Sequence, residues 1–362
     1  MSELVIYIYE SIIVFHLILL SRMLSKDYSN KSRLLSYYLY FIAGMFLWII
    51  SAFRYGVGTD FFNYYNSINQ LDIKNVKNFE YVFYFIKVFS KNIADNGQFF
   101  IALIAFLTIF YLCLAIYKLS PYPEMSIMVF LGLGHYFSSF NGIRQYLAIS
   151  LILYALSLFY SGKKKSSILF LILPVFIHFS SIIFVVFFAL ITLIKKRKVI
   201  YYPFIFLTIF ISLLFYLKPN LFYNYIFILG YEVYLETKYI VTGSNIIWVI
   251  IEICIFLFYC AFNYHSKSFY NENILYLSIP FSLLSIAFTF LGLQGLIFNR
   301  IATYFNIFHI IFIPLTVKNI RDIHLRRIVY ALILIVSFMG IIFILELNLS
   351  EVVPYQIFLG NL

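Results

Sequence analysis

Apolar stretches close to the length that crosses a bilayer recur from one end of this chain to the other, and that recurrence leaves few folds open. A hydrocarbon core of about 30 Å is crossed by about 20 apolar residues in a helix. Backbone groups in lipid must be satisfied internally, so only helices and closed barrels span. A barrel would read as segments of about ten residues alternating apolar and polar, whereas the runs here are unbroken. The chain therefore reads as an all-α, polytopic transmembrane helical bundle. Composition agrees, with 63% of 362 residues hydrophobic and 11% charged, against about 45–50% and about 25% in soluble domains. A single integral membrane domain over residues 1–362 is expected, with the lipid bilayer as its solvent.

The runs place spans at residues 4–24, 34–53, 97–117, 125–140, 143–160, 199–217, 245–262, 274–291, 297–317 and 328–345. Two further short arms share residues 166–194, for about twelve transmembrane helices in all. Basic clusters at Arg22/Lys26/Lys31/Arg33, Lys163-Lys164-Lys165, Lys195-Lys196-Arg197-Lys198 and Lys318/Arg321/Arg326/Arg327 each follow an odd-numbered span. The positive-inside rule makes those loops cytoplasmic and puts both termini outside. On that reading the net charge of +11 reports membrane topology, not nucleic-acid binding. Met1-Ser2-Glu3 supplies no basic leader, so the first run reads as a retained helix rather than a signal peptide. Two longer external loops, residues 54–96 and 218–244, are rich in Tyr and Asn. Phosphate-cradling glycine loops and soluble catalytic domains are not in evidence, so any chemistry must draw on energy already in the substrate. Cys113, Cys254 and Cys260 lie inside apolar runs at spacings that fit no zinc or redox motif.

Three arginines mark the outer helix boundaries: Arg54 ends the second span, Arg144 opens the fifth and Arg300 lies early in the eleventh. Guanidinium forks are always charged and bind phosphate oxygens bidentately; the competing reading is an anchor that snorkels to the headgroups. Arg54 leads into Tyr55-Gly56-Val57-Gly58-Thr59-Asp60, where the glycines permit a turn that brings Asp60 back over the helix end. Asp60 then serves either as a general base or as an arginine's partner, and pairing would make it a poor base. Split in two, residues 166–194 give about 21 Å per arm, short of the bilayer core, which predicts a recessed turn. His178 falls in that turn, at the floor of an external vestibule, as a proton acceptor or as a group satisfied by the turn itself. His135, a few residues before Asn141-Gly142-Ile143-Arg144, is a second candidate. Glu10, His16 and Glu252 are intramembrane polar groups, each a functional hypothesis by default, while His309 reads as a hydrogen bonder of the bundle core.

Four passages resemble the EpsG-type, Wzy-like family of exopolysaccharide, capsule and O-antigen polymerases: Arg54 to Asp60 followed by Tyr64; Phe140-Asn141-Gly142-Ile143-Arg144-Gln145-Tyr146-Leu147-Ala148; Phe176-Ile177-His178-Phe179-Ser180; and Arg300-Ile301-Ala302-Thr303-Tyr304-Phe305 leading to Pro314. The terminal Pro354-Tyr355 is similar too. The resemblance implies a glycosyltransferase that joins undecaprenyl-pyrophosphate-linked oligosaccharide repeat units at the outer face of the bacterial cytoplasmic membrane, with a chain-length regulator and a flippase as companions. On that reading Arg54, Arg144 and Arg300 hold the pyrophosphate, His178 or failing that Asp60 deprotonates the acceptor hydroxyl, and His135, Tyr64, Gln145 and Tyr304 contribute to substrate binding. No metal or other cofactor is expected, since no carboxylate pair lies near the arginines. A flippase of the same lipid-linked sugars, or a membrane glycan ligase, is the alternative.

Overall fold

The computed structural model describes residues 4–27, 29–69, 71, 73, 80–195, 206, 210, 213, 216–218, 245–263 and 274–358. The expected span at 199–217 falls largely outside them, and the loop at 218–244 does so apart from Lys218. Among the described residues the regular structure is helical, with a single isolated antiparallel bridge between Arg54 and Ile357. The chain forms two compact units, Met1–Ser181 with Ile313–Leu362, and Ile182–Phe312.

In the first unit Val5–Ser25 (α1) and Asn30–Phe53 (α2) are followed by two helices inside what the sequence presents as an external loop, Phe61–Ser67 (α3) and Tyr81–Ile93 (α4). Then come Gly97–Leu119 (α5), Pro123–Gly132 (α6), the single turn His135–Ser138 (α7), Ile143–Tyr160 (α8) and Lys164–Ile172 (α9). The second unit holds Ile182–Lys195 (α10), Ile246–Asn263 (α11), Ser278–Leu291 (α12) and Leu296–Asn306 (α13). His309–Asn319 (α14) carries the boundary between units, and Ile323–Glu346 (α15) belongs to the first. Among the described residues seven helical stretches are long and apolar enough to cross a bilayer, and three shorter apolar helices accompany them. The protein is an all-α polytopic membrane protein.

Local chemistry sets the helix starts. Side-chain oxygens of Ser29, Asn96 and Asp322 accept the amides of Ser32, Gln98 and Leu325 at 3.1, 2.9 and 2.7 Å, capping α2, α5 and α15, and Pro123 sits in the first turn of α6. The span expected at 125–140 is broken after Gly132. Gly134 takes φ +78°, and the methyl of Ile344 on α15 lies 3.0 Å from where a Cβ would stand. A left-handed residue ends a helix, so α7 starts afresh in a new direction. Lipid-type surface is plain on α15, where Leu332, Ile335, Val336 and Met339 are all exposed.

One end of the first unit collects the polar structure. Gln98 at the start of α5 donates to the carbonyls of Ala52 and Arg54 at the end of α2, at 2.6 and 2.9 Å. Asn141 before α8 donates to Ser350 after α15 at 2.8 Å, and Tyr355 reaches the Ile50 carbonyl at 2.9 Å. At the other end Arg22, closing α1, pairs with Glu124 of α6 at 2.9 Å, and Tyr330 of α15 donates to the same carboxylate at 2.6 Å. The second unit is held by aromatic rings: Phe184 stacks on Phe308 with centroids 5.4 Å apart, and Phe288 on Phe305 at 5.9 Å.

Candidate active site

An apolar cluster forms the floor of the polar end. Phe83 of α4, Phe100 and Ile104 of α5, Ile143, Leu147 and Leu151 of α8, and Ile177 from the turn after α9 are buried against one another. These contacts fix three chain segments that are distant in sequence: the start of α4, the start of α8 and the 177–179 turn. Each delivers one polar side chain to the same point.

Glu80 lies just before α4 and is the shared partner. Its Oε2 is 2.7 Å from Nη1 of Arg144, and its Oε1 is 3.1 Å from Nδ1 of His178 and accepts the Phe179 amide at 3.2 Å. Arg144 is the second residue of α8, where the positive end of the helix dipole disfavours a cation, and the carboxylate offsets that cost. The guanidinium also faces the rings of Phe83 and Tyr64, at 5.5 and 6.0 Å to the centroids. Lys87, two turns along α4 from Glu80, stands over the Phe83 ring at 5.5 Å. Its pKa is lowered, first by burial and then by the Arg144 charge, against the pull of Glu80.

Burial by itself would raise the Glu80 carboxyl. The His178 hydrogen bond, the Arg144 and His178 charges and the Phe179 amide outweigh it, and the group lies below the ordinary carboxylate range. The side chains of Glu80 and His178 are 12% and 14% exposed and that of Arg144 is 36% exposed, so the cluster is sheltered yet open toward solvent on its arginine side. The arrangement surrounds one carboxylate with several basic groups, orients an imidazole through Nδ1, and lays a guanidinium between aromatic faces. It has the elements needed to bind an anionic oxygen cluster and to move a proton.

Arg54 is placed differently. It is 1% exposed, lies over the Phe140 ring at 4.6 Å, and donates from Nη2 to the Phe140 carbonyl at 3.0 Å and from Nη1 to the Ser51 carbonyl and hydroxyl. It shares a cavity of about 10 Å³ with Ile143, the neighbour of Arg144, which is room for about one water. Beyond it, Gly58 takes φ +94°, and a Cβ there would stand 2.4 Å from the Asn141 amide oxygen; the close approach holds the 54–60 loop against the 140–142 turn. Asp60 begins α3 and is half-buried, with no ion pair among the described residues. His135 is buried, 3.2 Å from the Tyr146 hydroxyl and stacked near Phe130. Gln145 is buried beside Arg144. Arg300 and buried Tyr304 stand one turn apart on α13, in the second unit.

The structure thus brings Arg144 together with His178 and Tyr64, and Glu80, which joins Arg144 to His178, was not among the sequence candidates. The helix that follows it had a signal in the sequence, with Tyr81, Phe85, Phe89 and Ile93 recurring every fourth residue, but nothing there pointed to the partners of Glu80. That pattern makes an amphipathic helix, and an acid at its N-terminus is where the dipole favours one.

A bundle of apolar spans with a sheltered cluster of charged side chains at one end of its first unit defines the class, a multi-pass membrane protein. The chain belongs to the EpsG family, whose family model matches residues 37–357, and the family is one of Wzy-like polysaccharide polymerases. No curated protein and no solved structure matches the chain.

Proposed function

We propose that this protein joins oligosaccharide repeat units carried on undecaprenyl pyrophosphate, building exopolysaccharide, capsule or O-antigen at the outer face of the bacterial cytoplasmic membrane. The observation that carries the reading is the Arg144–Glu80–His178 cluster at the end of the first unit opposite Arg22 and Glu124. The positive-inside rule sets the Arg22 end in the cytosol, so the cluster opens away from it, with both termini external.

In the reaction the acceptor sugar hydroxyl attacks the anomeric carbon of the donor, the carbon–oxygen bond to pyrophosphate breaks, and the lipid pyrophosphate leaves with the bonding pair. His178, donating Nδ1–H to Glu80, accepts the hydroxyl proton at Nε2, with Asp60 as the second candidate base. Arg144 neutralises charge growing on the leaving diphosphate, with Lys87 beside it. Tyr64, Gln145 and His135 contribute to substrate binding from the first unit, and Arg300 and Tyr304, each on the second unit, are separate candidates for contacts to the substrate. Arg54, whose guanidinium serves carbonyls of its own fold, supports the diphosphate site by ordering the 54–60 loop and the 140–142 turn. The sugar–pyrophosphate bond is already activated, so the transfer needs no nucleotide and runs without a metal ion. A flippase and a chain-length regulator are the expected companions.

Deleting the gene and analysing lipid-linked glycans tests the activity. A polymerase deletion leaves single repeat units displayed outside the cell; single units trapped on the cytoplasmic side would instead identify a flippase.

A further inference from the structure

The flank of the first unit carries a further concave surface, apart from the charged cluster. Between α2 and α5 runs a groove of about 370 Å³, floored by Tyr40, Gly44, Trp48, Phe110 and Cys113. It presents almost no hydrogen-bonding capacity. The Tyr40 hydroxyl donates to the Cys113 carbonyl at 2.8 Å and the Trp48 indole N–H to the Ala102 carbonyl at 2.9 Å, so both polar tips turn onto α5 and the rings face outward. Such a surface suits a hydrocarbon chain and not a sugar.

Its length and its end narrow the choice. From Tyr37 to Trp48 the groove follows α2 for about 16 Å at 1.5 Å per residue, roughly half of a 30 Å hydrocarbon core, the depth of one leaflet. The end nearer Arg22 is cationic: Lys118 lines the groove and stands over the Tyr154 ring at 4.7 Å, while Tyr37 and Tyr117 pair with centroids 5.7 Å apart and Arg33 meets the Tyr37 hydroxyl. Arg33 and Lys118 are both exposed. Basic side chains at a membrane surface attract anionic lipid by about 1 kcal/mol each.

We propose that this groove binds an acyl chain of an anionic phospholipid from the leaflet at the Arg33–Lys118 end, with the lipid phosphate between those two cations. The site is separate from the polymerisation reading and stands or falls without it.

The chain's two tryptophans are Trp48, in the groove, and Trp248, on α11. With Trp248→Phe, Trp48 becomes the sole tryptophan, excited selectively at the red edge where tyrosine does not absorb. The full-length protein is reconstituted in phosphatidylcholine vesicles containing brominated phosphatidylglycerol, or in the same vesicles with brominated phosphatidylcholine. Quenching of Trp48 should show a preference of about thirtyfold for the anionic lipid, from two cations. Arg33→Gln with Lys118→Gln, both at exposed positions, should abolish the preference. Gly44→Leu should reduce quenching by either lipid, while Gly44→Ala, whose Cβ meets Cys113 Sγ at an ordinary 3.4 Å, should not. Equal quenching by the two lipids, or a preference that survives loss of both cations, would reduce the groove to ordinary boundary lipid and overturn the proposal. Relief of quenching by a polyisoprenyl phosphate, and not by unbrominated phosphatidylglycerol, would assign it to an isoprenoid tail instead.

Discussion

At the residue scale, the partners of Glu80 hold its carboxylate ionised. Its folded-state pKa lies below that of the unfolded chain, where a Glu titrates near 4.3. The sign follows: the interaction stabilises the fold fully above the unfolded value and is lost as pH falls through the lower, folded one. Replacing Glu80 by Gln should therefore lower the thermal midpoint of the purified protein at neutral pH and flatten its decline between about pH 5 and pH 3. An unchanged profile would show that the carboxylate is not held by its partners. Activity should also fall, because the His178 imidazole loses the carboxylate that orients it through Nδ1. His178 and Arg144 were legible in the sequence, one from the short arms around it and the other from its place at a helix boundary. Glu80 was not, because its partners lie 64 and 98 positions away. Arg54 could be read as anchor or clamp for the same reason: the carbonyl it serves, at Phe140, is 86 positions distant.

At the scale of elements, the long spans were legible because each is an unbroken apolar run whose length matches the bilayer. Interruptions and re-entries were less so. Nothing in the run from Met125 to Phe140 distinguishes a continuous helix from one halted by a left-handed Gly134 pressed against α15, since the cause lies on another helix. The helices α3 and α4 were read as loop because their apolar faces are short and aromatic. Yet α4 ties the site to the floor: Phe83 is 5% exposed, packs in the apolar cluster and lies beneath both Arg144 and Lys87. Phe83→Ala should destabilise the protein in detergent by about 3–5 kcal/mol, as large-to-small core deletions do. Phe83→Leu should restore most of that stability while leaving KM raised, because it refills the volume but removes the aromatic face. Full recovery of both would make the ring a packing residue only.

At the scale of the molecule, two compact units share one chain, and the polar chemistry of the first gathers at a single end while basic residues mark the other. That polarity is consistent with the proposed polymerase, whose substrate would meet the end opposite the basic residues. It was visible in the sequence as an asymmetry of loops, because charge distribution between loops depends on topology and not on packing. Within the first unit the structure adds the convergence of three segments on one carboxylate.

The most direct test of the account is the length distribution of the glycan made by cells carrying Arg144→Ala or His178→Ala, each checked for normal insertion and amount. In the proposed mechanism His178 is the general base, whose loss slows transfer by about 10²–10⁴-fold, so His178→Ala should leave single repeat units in place of polymer, and Arg144→Ala should do the same with little rescue by Lys. Polymer of unchanged length and yield from both variants would contradict the claim that this cluster carries the reaction.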